Sequence, residues 1–411
     1  MALTLADIDL TNLDTFVAAV PHDQFDLIRR EAPVYFHPET AGAGFWCITR
    51  FDHLHNVSHE WPVFSSEWGI TLHESMSDEQ LEQQRMMMLM MDPPKHTKLR
   101  LLVNKGFTPR MIGSLQDDIR RITRKIVDDI ADRGECDFVV DVAAELPLQV
   151  IAEMMGVPQS DRHKVFDWSN RMIGSEDPEY AVSAEDVVEA GTEMFIYANE
   201  LAAEKRANPG DDIISVLLQA EVEGEKLTDL EFDMFFELLA VAGNETTRNL
   251  ISHGMLALIE HPDQRTLLLK DPARLDGTVD EMLRYASPVM YMRRTARTDF
   301  ELEGQTIHEG DKVALWYIAA NHDPEVFPDP HRFDITRQPN ENEAFGGGGP
   351  HFCLGTHLAK LEIKVMFEEL LARVPDMERA GTVERLRSNF INGIKHMPVR
   401  FTPEQRARQS A

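Results

Sequence analysis

Residues 343–360 read EAFGGGGPHFCLGTHLAK and place Cys353, one of the chain's three cysteines, between four consecutive glycines and the start of a helical pattern. The run is not a Walker loop, because no Gly-Lys-Ser/Thr follows. It also misses the Gly-x-Gly-x-x-Gly spacing, since His351 or Phe352 falls where the last glycine belongs, so phosphate cradling is disfavoured. Four glycines instead let a backbone pass very close to something flat or bulky. The helix that begins near Gly355 points its positive end at the sulfur, which lowers a thiol pKa and favours thiolate. A thiolate serves as nucleophile or as metal ligand. The first use wants a base, for which His351 and His357 are the local candidates; the second wants a cofactor site elsewhere in the chain.

Composition bounds the answer without choosing it. At 411 residues, with 43% hydrophobic and 27% charged residues, the chain fits an ordinary soluble globular protein. No stretch approaches the roughly 20 apolar residues of a membrane-spanning helix. The opening MALTLADIDLTNLDTF lacks the basic start and apolar run of a signal peptide, so a cytoplasmic protein without a membrane anchor is expected. Cys47, Cys136 and Cys353 are too few and too scattered for a disulfide framework or a Cys-x-x-Cys zinc site. A net charge of −29 argues against nucleic acid or an anionic membrane as partner. Within it, Lys95 to Lys125 holds nine basic residues (Lys95, Lys98, Arg100, Lys105, Arg110, Arg120, Arg121, Arg124, Lys125) against Asp117 and Asp118. Such an island suits an acidic partner or an anionic cofactor, or is only a solvated helix face.

Helical patterns dominate from about 110 to 290, with no Pro/Ser-rich linker, no internal repeat and no low-complexity tract. GFWCITRF (44–51) and KVALWYIAAN (312–321) have the content of strands. The fold expected is mainly α with a small β region, in a single domain. Thr228-Asp229-Leu230-Glu231 is a capping box opening a helix of roughly 33 residues, about 50 Å, that runs to Pro262. Thr278-Val279-Asp280-Glu281 predicts a second box opening a short helix that Ser287-Pro288 closes.

The long helix is apolar almost all round from Phe235 to Gly243, and Asn244, Glu245, Thr246 and Thr247 then follow at once. Buried carboxylate and hydroxyl groups need partners or a cavity. Gly243, followed by an acid and an alcohol, reads as a helix locally opened beside a ligand, with Glu245 and Thr246 poised to relay protons. The alternative is that these side chains satisfy one another or a neighbouring loop. Glu281 and Arg284 share a helix face and can pair. Arg332, in the Pro-flanked DPHRF, is the candidate third member.

Taken together, these pieces make the chain resemble the cytochrome P-450 family of haem-thiolate monooxygenases nearly end to end. FGGGGPHFCLG looks like the family's haem loop, AGNETT like its oxygen-activation motif, and EMLR with DPHRF like its Glu-Arg-Arg triad of Glu281, Arg284 and Arg332. The resemblance implies a triangular-prism fold around a long central I helix. It divides residues 1–411 into a β-rich part about 30–75, a helical core about 95–290, β segments and haem loop about 290–355, and a C-terminal helix and β hairpin over 355–405. It makes Cys353 the axial thiolate of haem b iron, within a loop that includes Phe345 and Gly355 and faces Gly243. It assigns His96, Arg100, Arg294 (or Arg293, one register away) and His351 to the haem propionates, and Glu245 and Thr246 to proton delivery during O2 activation. It also implies electrons from NAD(P)H through a reductase and an iron-sulfur ferredoxin docking on the basic island, and nothing in the sequence demands more than a monomer.

The usual loop has seven residues from its Phe to its Cys, whereas Phe345 to Cys353 is eight. That extra glycine, AGNETTRN and INGIKHMPVRF look most like the actinobacterial subgroup that hydroxylates terminal carbons of methyl-branched lipids and sterol side chains. By position, the pocket should draw on Ile70, Met88, Met91 and Met172, on Leu239 and Ala242 of the long helix, and on Val289, Met290, Phe390 and Ile391 farther along. RMMMLMM offers flexible side chains suited to a long or branched hydrocarbon, although any one methionine can be ordinary core. The expected activity is terminal hydroxylation of a branched lipid, isoprenoid or sterol side chain. The alternatives are a monooxygenase of a compact terpene or aromatic and a non-catalytic haem-thiolate ligand or gas sensor, with a Cys-His hydrolase more distant still.

Overall fold

A computed structural model of the chain describes residues 3–405 apart from residues 41, 73–76, 105, 106, 108 and 222–225. The Thr228 cap forms as predicted. Its hydroxyl accepts the Glu231 amide at 3.2 Å, and the Glu231 carboxylate accepts the Thr228 amide at 3.0 Å. From this cap one helix runs unbroken over Asp229–Glu260, 32 residues. Helices Glu145–Met155, Arg162–Ile173, Ala184–Ala207, Leu275–Ala286 and Thr356–Arg373 all pack on it. Enclosure on so many sides explains why its apolar residues are not confined to one stripe.

The second predicted cap does not form. Helix Leu275–Ala286 starts three residues before Thr278. Inside it the Thr278 hydroxyl donates to the Arg274 carbonyl four residues back at 3.0 Å, a bond open to any threonine within a helix. Glu281 is taken by Arg284 and by the distant Asp334 amide, at 2.9 Å, instead of by the Thr278 amide. The end is as expected: Ser287, at φ 41°, leaves the helix just before Pro288.

A five-stranded sheet lies beside the helices, in the order Val34–His37, Phe45–Ile48, Lys312–Leu315, Met292–Ala296, Phe64–Ser65. Only the pairing of Phe45–Ile48 with Lys312–Leu315 is parallel. Alternation sends Phe45, Cys47 and Ala314 into one apolar cluster and Trp46, Ile48, Val313 and Leu315 into another, so both faces are covered. The predicted strand 312–321 ends at Leu315 and gives way to the buried helical turn Tyr317–Ala320. Cys47 is core, its thiol pushed far up by burial; burial also pushes Cys136 up to about 12, so neither is a reactive thiol. Among the described residues, no helix is long and apolar enough to cross a membrane.

Candidate active site

The Cys353 loop is folded by its own backbone and by a helix from the far N-terminal part of the chain. The Cys353 amide donates to the Phe345 carbonyl at 2.9 Å. Gly346, Gly347, Gly348 and Gly349 all adopt positive φ, at 104°, 66°, 81° and 69°, a region that only glycine enters cheaply. A Cβ on Gly349 would lie 2.2 Å from the Ser58 carbonyl oxygen, and one on Gly347 2.5 Å from the Ser58 hydroxyl. A close approach of this run is therefore made to helix Phe51–His59. Arg100 secures the loop from another side, donating to the carbonyls of Pro350, at 3.1 Å, and Phe352.

Helix Thr356–Arg373 starts where expected, with Gly355 at its N-cap. Cys353 is exposed as a residue; the protein atoms packed around its sulfur push the thiol up, and the Gly355 amide, Thr356 and the Arg100 charge pull it down. The net direction is up, so the helix end by itself does not make this sulfur a thiolate. With protein groups as its only partners the sulfur is a thiol, and a facing metal cation is what would deprotonate it.

Three further basic side chains, His96, His351 and Arg294, gather behind this loop. The rings of His96 and His351 lie tilted at 45° to each other with centroids 4.3 Å apart. Burial first, then the charges of Arg100 and Arg294, hold His96 down to about 4, while burial, Arg294 and His96 hold His351 well below its usual value. The nearest acid, Asp92, already answers Arg297 at 3.1 Å and the Ser66 amide at 3.1 Å. His96 Nδ1 is buried with no partner. A cluster in which every member depresses its neighbours' protonation has the electrostatics of an anion site. Arg294 belongs to it and Arg293 does not: adjacent residues of one strand face opposite ways, and Arg293 donates to the Thr71 carbonyl at 3.2 Å.

Halfway along the long helix, Ala242 is exposed and Gly243 and Thr246 are half-buried, whereas Leu239, Ala240, Asn244, Glu245 and Thr247 are buried. The middle of the helix thus has one open face. The Thr246 hydroxyl donates to the Ala242 carbonyl at 2.9 Å. Glu245 Oε2 accepts from Arg248, whose other nitrogen donates to Asn170 at 2.8 Å; Glu245 Oε1 is buried without a partner. Burial raises the Glu245 pKa and Arg248 offsets this only in part. The helix is not opened here, contrary to expectation: its backbone runs on unbroken, Thr246 and Arg248 bond locally, and the Asn244 side chain and Glu245 Oε1 stay buried without a partner. Gly243 is also corrected: a Cβ there would sit 2.9 Å from Ile151 Cδ1, so its bareness serves helix packing.

The Cytochrome P450 family model matches residues 114–271 and 273–374. The chain belongs to the cytochrome P450 family. It is 44% identical over 404 residues to the steroid C26-monooxygenase of Mycobacterium tuberculosis, covering 96% of this chain and 92% of that one. It is 41% identical over 411 residues to the methyl-branched lipid omega-hydroxylase of the same organism, covering 97% and 95%. Its structure matches cytochrome P450 CYP268A2 of Mycobacterium marinum in complex with pseudoionone, with a TM-score of 0.90, 40% identity and coverage of 96% and 98%. As a cytochrome P450 the protein is a haem-thiolate monooxygenase that uses dioxygen. Its residues fit that group: a cysteine whose sulfur needs a cation, beside a buried arginine and two imidazoles that an anion would charge and satisfy.

Two readings are corrected within this P450. The buried pair is real, since Arg284 meets both Glu281 oxygens at 2.8 Å and neither side chain is exposed. Its third member is Arg337, whose Nε donates to Glu281 at 3.2 Å. Arg332 is exposed and lends only its carbonyl, to Arg284 and Arg337. The TRQP around Arg337 carries the same proline signal that was read at Arg332. The basic island is also less free than its sequence suggests. Arg120 pairs with Glu368 at 2.6 Å and Arg121 with Asp118 at 3.1 Å, Arg124 lies 3.9 Å from Glu369, and Lys105 and the Arg110 side chain lie outside the described residues.

The expected pocket residues gather in separate groups. Val289 bridges Ile391, the Met290 amide donates to the Phe390 carbonyl at 2.8 Å, and the Arg293 amide donates to the Ile70 carbonyl at 2.7 Å. The turn bearing Met88 packs on the long helix, as does the helix bearing Met172. Met88, Met91, Leu239 and Met290 are buried within apolar clusters, and Met172 is partly buried against one of them. Asp92, Ser66 and Asn170 had no sequence signal, whereas Arg248 did: ETTR places it three residues from Glu245 on one helix face.

Proposed function

We propose that this P450 hydroxylates the terminal methyl of a branched lipid, isoprenoid or sterol side chain. The observation that carries this is identity of 41–44%, over nearly the whole chain, to proteins named for steroid C26 oxidation and methyl-branched lipid omega-hydroxylation. The apolar lining agrees. A pocket of methionine, leucine and phenylalanine binds by area, roughly 25 cal/mol per Å², so chain length and branching govern affinity more than a head group does. The pseudoionone held by the Mycobacterium marinum relative is itself a branched isoprenoid chain.

Cys353 ligates the iron of haem b, which when bound supplies the oxygen activation. His96, Arg294 and His351 bind the propionates. Arg100 keeps the Cys353 loop in place through its carbonyls. Thr246 presents its hydroxyl oxygen on the open face of the long helix while its proton goes to the Ala242 carbonyl, a bond that must break for Thr246 to donate, and Glu245, protonated more readily than an exposed glutamate, is the neighbouring source of a proton. Electrons come from NAD(P)H through a reductase and a ferredoxin, which meets the exposed part of the basic island.

Titration of the ferric protein with phytanic acid, farnesol, a sterol enone and a compact terpene, followed by the low- to high-spin change of the Soret band, tests the substrate class. Tight shifts with the long branched chains alone support the proposal. A shift with the compact terpene alone overturns it and leaves the family untouched.

A further inference from the structure

Apart from the residues of the haem-thiolate site, three histidines distant in sequence meet beside the buried helical turn Tyr317–Ala320. His22 opens helix His22–Glu31, His322 follows the turn Tyr317–Ala320, and His331 lies nine residues farther on. One ring nitrogen of each lies within 4.8 Å of a ring nitrogen of each of the others. The ring centroids are 4.3, 5.2 and 5.3 Å apart.

Two of the rings are held as metal-binding imidazoles are held. His322 Nδ1 donates to the Ile318 carbonyl at 2.9 Å, which leaves Nε2 to present its lone pair. His331 pairs through Nε2 with Asp26 at 2.7 Å, and Asp26 is itself fixed by Arg29 at 2.7 Å. A backbone carbonyl and a carboxylate behind imidazole are the partners that orient ligands in histidine metal sites and fix their tautomers. The third ring supplies a separate observation: His22 Nδ1 is buried with no partner, a polar atom left unsatisfied beside two oriented rings. Packing alone does not require that orphan.

We propose that His22, His322 and His331 form a binding site for one divalent transition-metal ion of the zinc class. Three neutral imidazoles suit Zn2+, Cu2+ or Ni2+ and not Ca2+ or Mg2+. Zinc–nitrogen bonds of about 2.0–2.1 Å set tetrahedral ligand nitrogens about 3.3 Å apart, so the cluster closes by about 1.5 Å at most. The exposed His331 can swing to make that closure, and its open side leaves the fourth position to water. The ion would tie the N-terminal helix to a segment some 300 residues away, stabilising the folded state by an amount that grows with the logarithm of free ion above its Kd.

The test uses chelator-washed, haem-loaded protein equilibrated with about 10 µM zinc chloride, with bound metal counted by mass spectrometry and unfolding followed by thermal scans. One zinc per haem and a raised Tm are expected. His22→Gln and His331→Ala should each lower the affinity at least about tenfold and abolish the rise in Tm. The metal-free Tm of His331→Ala reports that the fold survives, because that ring is exposed. His55→Ala, in the separate His55/His59 ring pair, should bind zinc normally. Absence of stoichiometric zinc in the parent protein, zinc retained by both cluster variants, or loss only in the His55 variant overturns the assignment.

Discussion

Arg248 and Glu245 form an ion pair buried at the centre of the long helix, with side-chain exposures of 2% and 1%. The guanidinium answers only one carboxylate oxygen. Removing one partner of such a pair strands the other, so Arg248→Ala should cost about 3–5 kcal/mol, read as a lower Tm of the haem-loaded protein. Glu245→Gln should slow turnover and divert reducing equivalents to peroxide. A variant that loses stability while its coupling of electrons to product is unchanged would restrict Glu245 to a structural role.

Thr246 is tested apart from that pair, since its hydroxyl bonds only the Ala242 carbonyl. Thr246→Ala should leave haem binding intact and reduce product per electron by about tenfold or more. Thr246→Ser, which keeps the donor, should restore most of it. Equal coupling in all three proteins removes Thr246 from the proton path.

Arg337 and Arg332 separate cleanly by substitution. Arg337→Ala takes a cation from a fully buried carboxylate and should lower stability by about 2–4 kcal/mol and reduce the yield of haem-loaded protein. Arg332→Ala keeps the backbone carbonyl that matters and should fall within about 0.5 kcal/mol of the parent. Denaturant midpoints of the two variants make the comparison.

Among the four loop glycines, Gly349 should be the least replaceable. Gly349→Ala meets the Ser58 carbonyl oxygen and holds alanine at φ 69°, which together cost about 3 kcal/mol or more and shift the Cys353 backbone. Gly346→Ala carries backbone strain alone, its nearest neighbour being 3.7 Å away. The ratio of Soret to protein absorbance after purification should therefore fall much further for Gly349→Ala.

Burial alone pushes Glu237 up from 4.5 to about 7. An acid raised on folding contributes its full stability below the unfolded pKa and loses it as pH rises through the folded one. The parent should thus lose about 3 kcal/mol between pH 4.5 and 7.5 from this group. Glu237→Gln should abolish that component of the pH slope, as measured by Tm across the range.

What could be read along the chain was whatever local chemistry controls. The Thr228 cap, the unbroken helix to Glu260, the helix start at Gly355 and the Glu281–Arg284 spacing all depend on residues within a few positions of one another. The motif order around Cys353 named the family for the same reason. Where two residues competed for one partner, nearness in sequence misled: Thr278 lost its cap role because Glu281 had a buried guanidinium to answer, and Arg332 gave way to Arg337. Folding alone put Ser58 under Gly349, Asn170 beside Arg248, and His22 against His322 and His331. Those contacts join segments as much as 309 residues apart (331 − 22), and no helix or strand period records which distant surfaces will exclude water together.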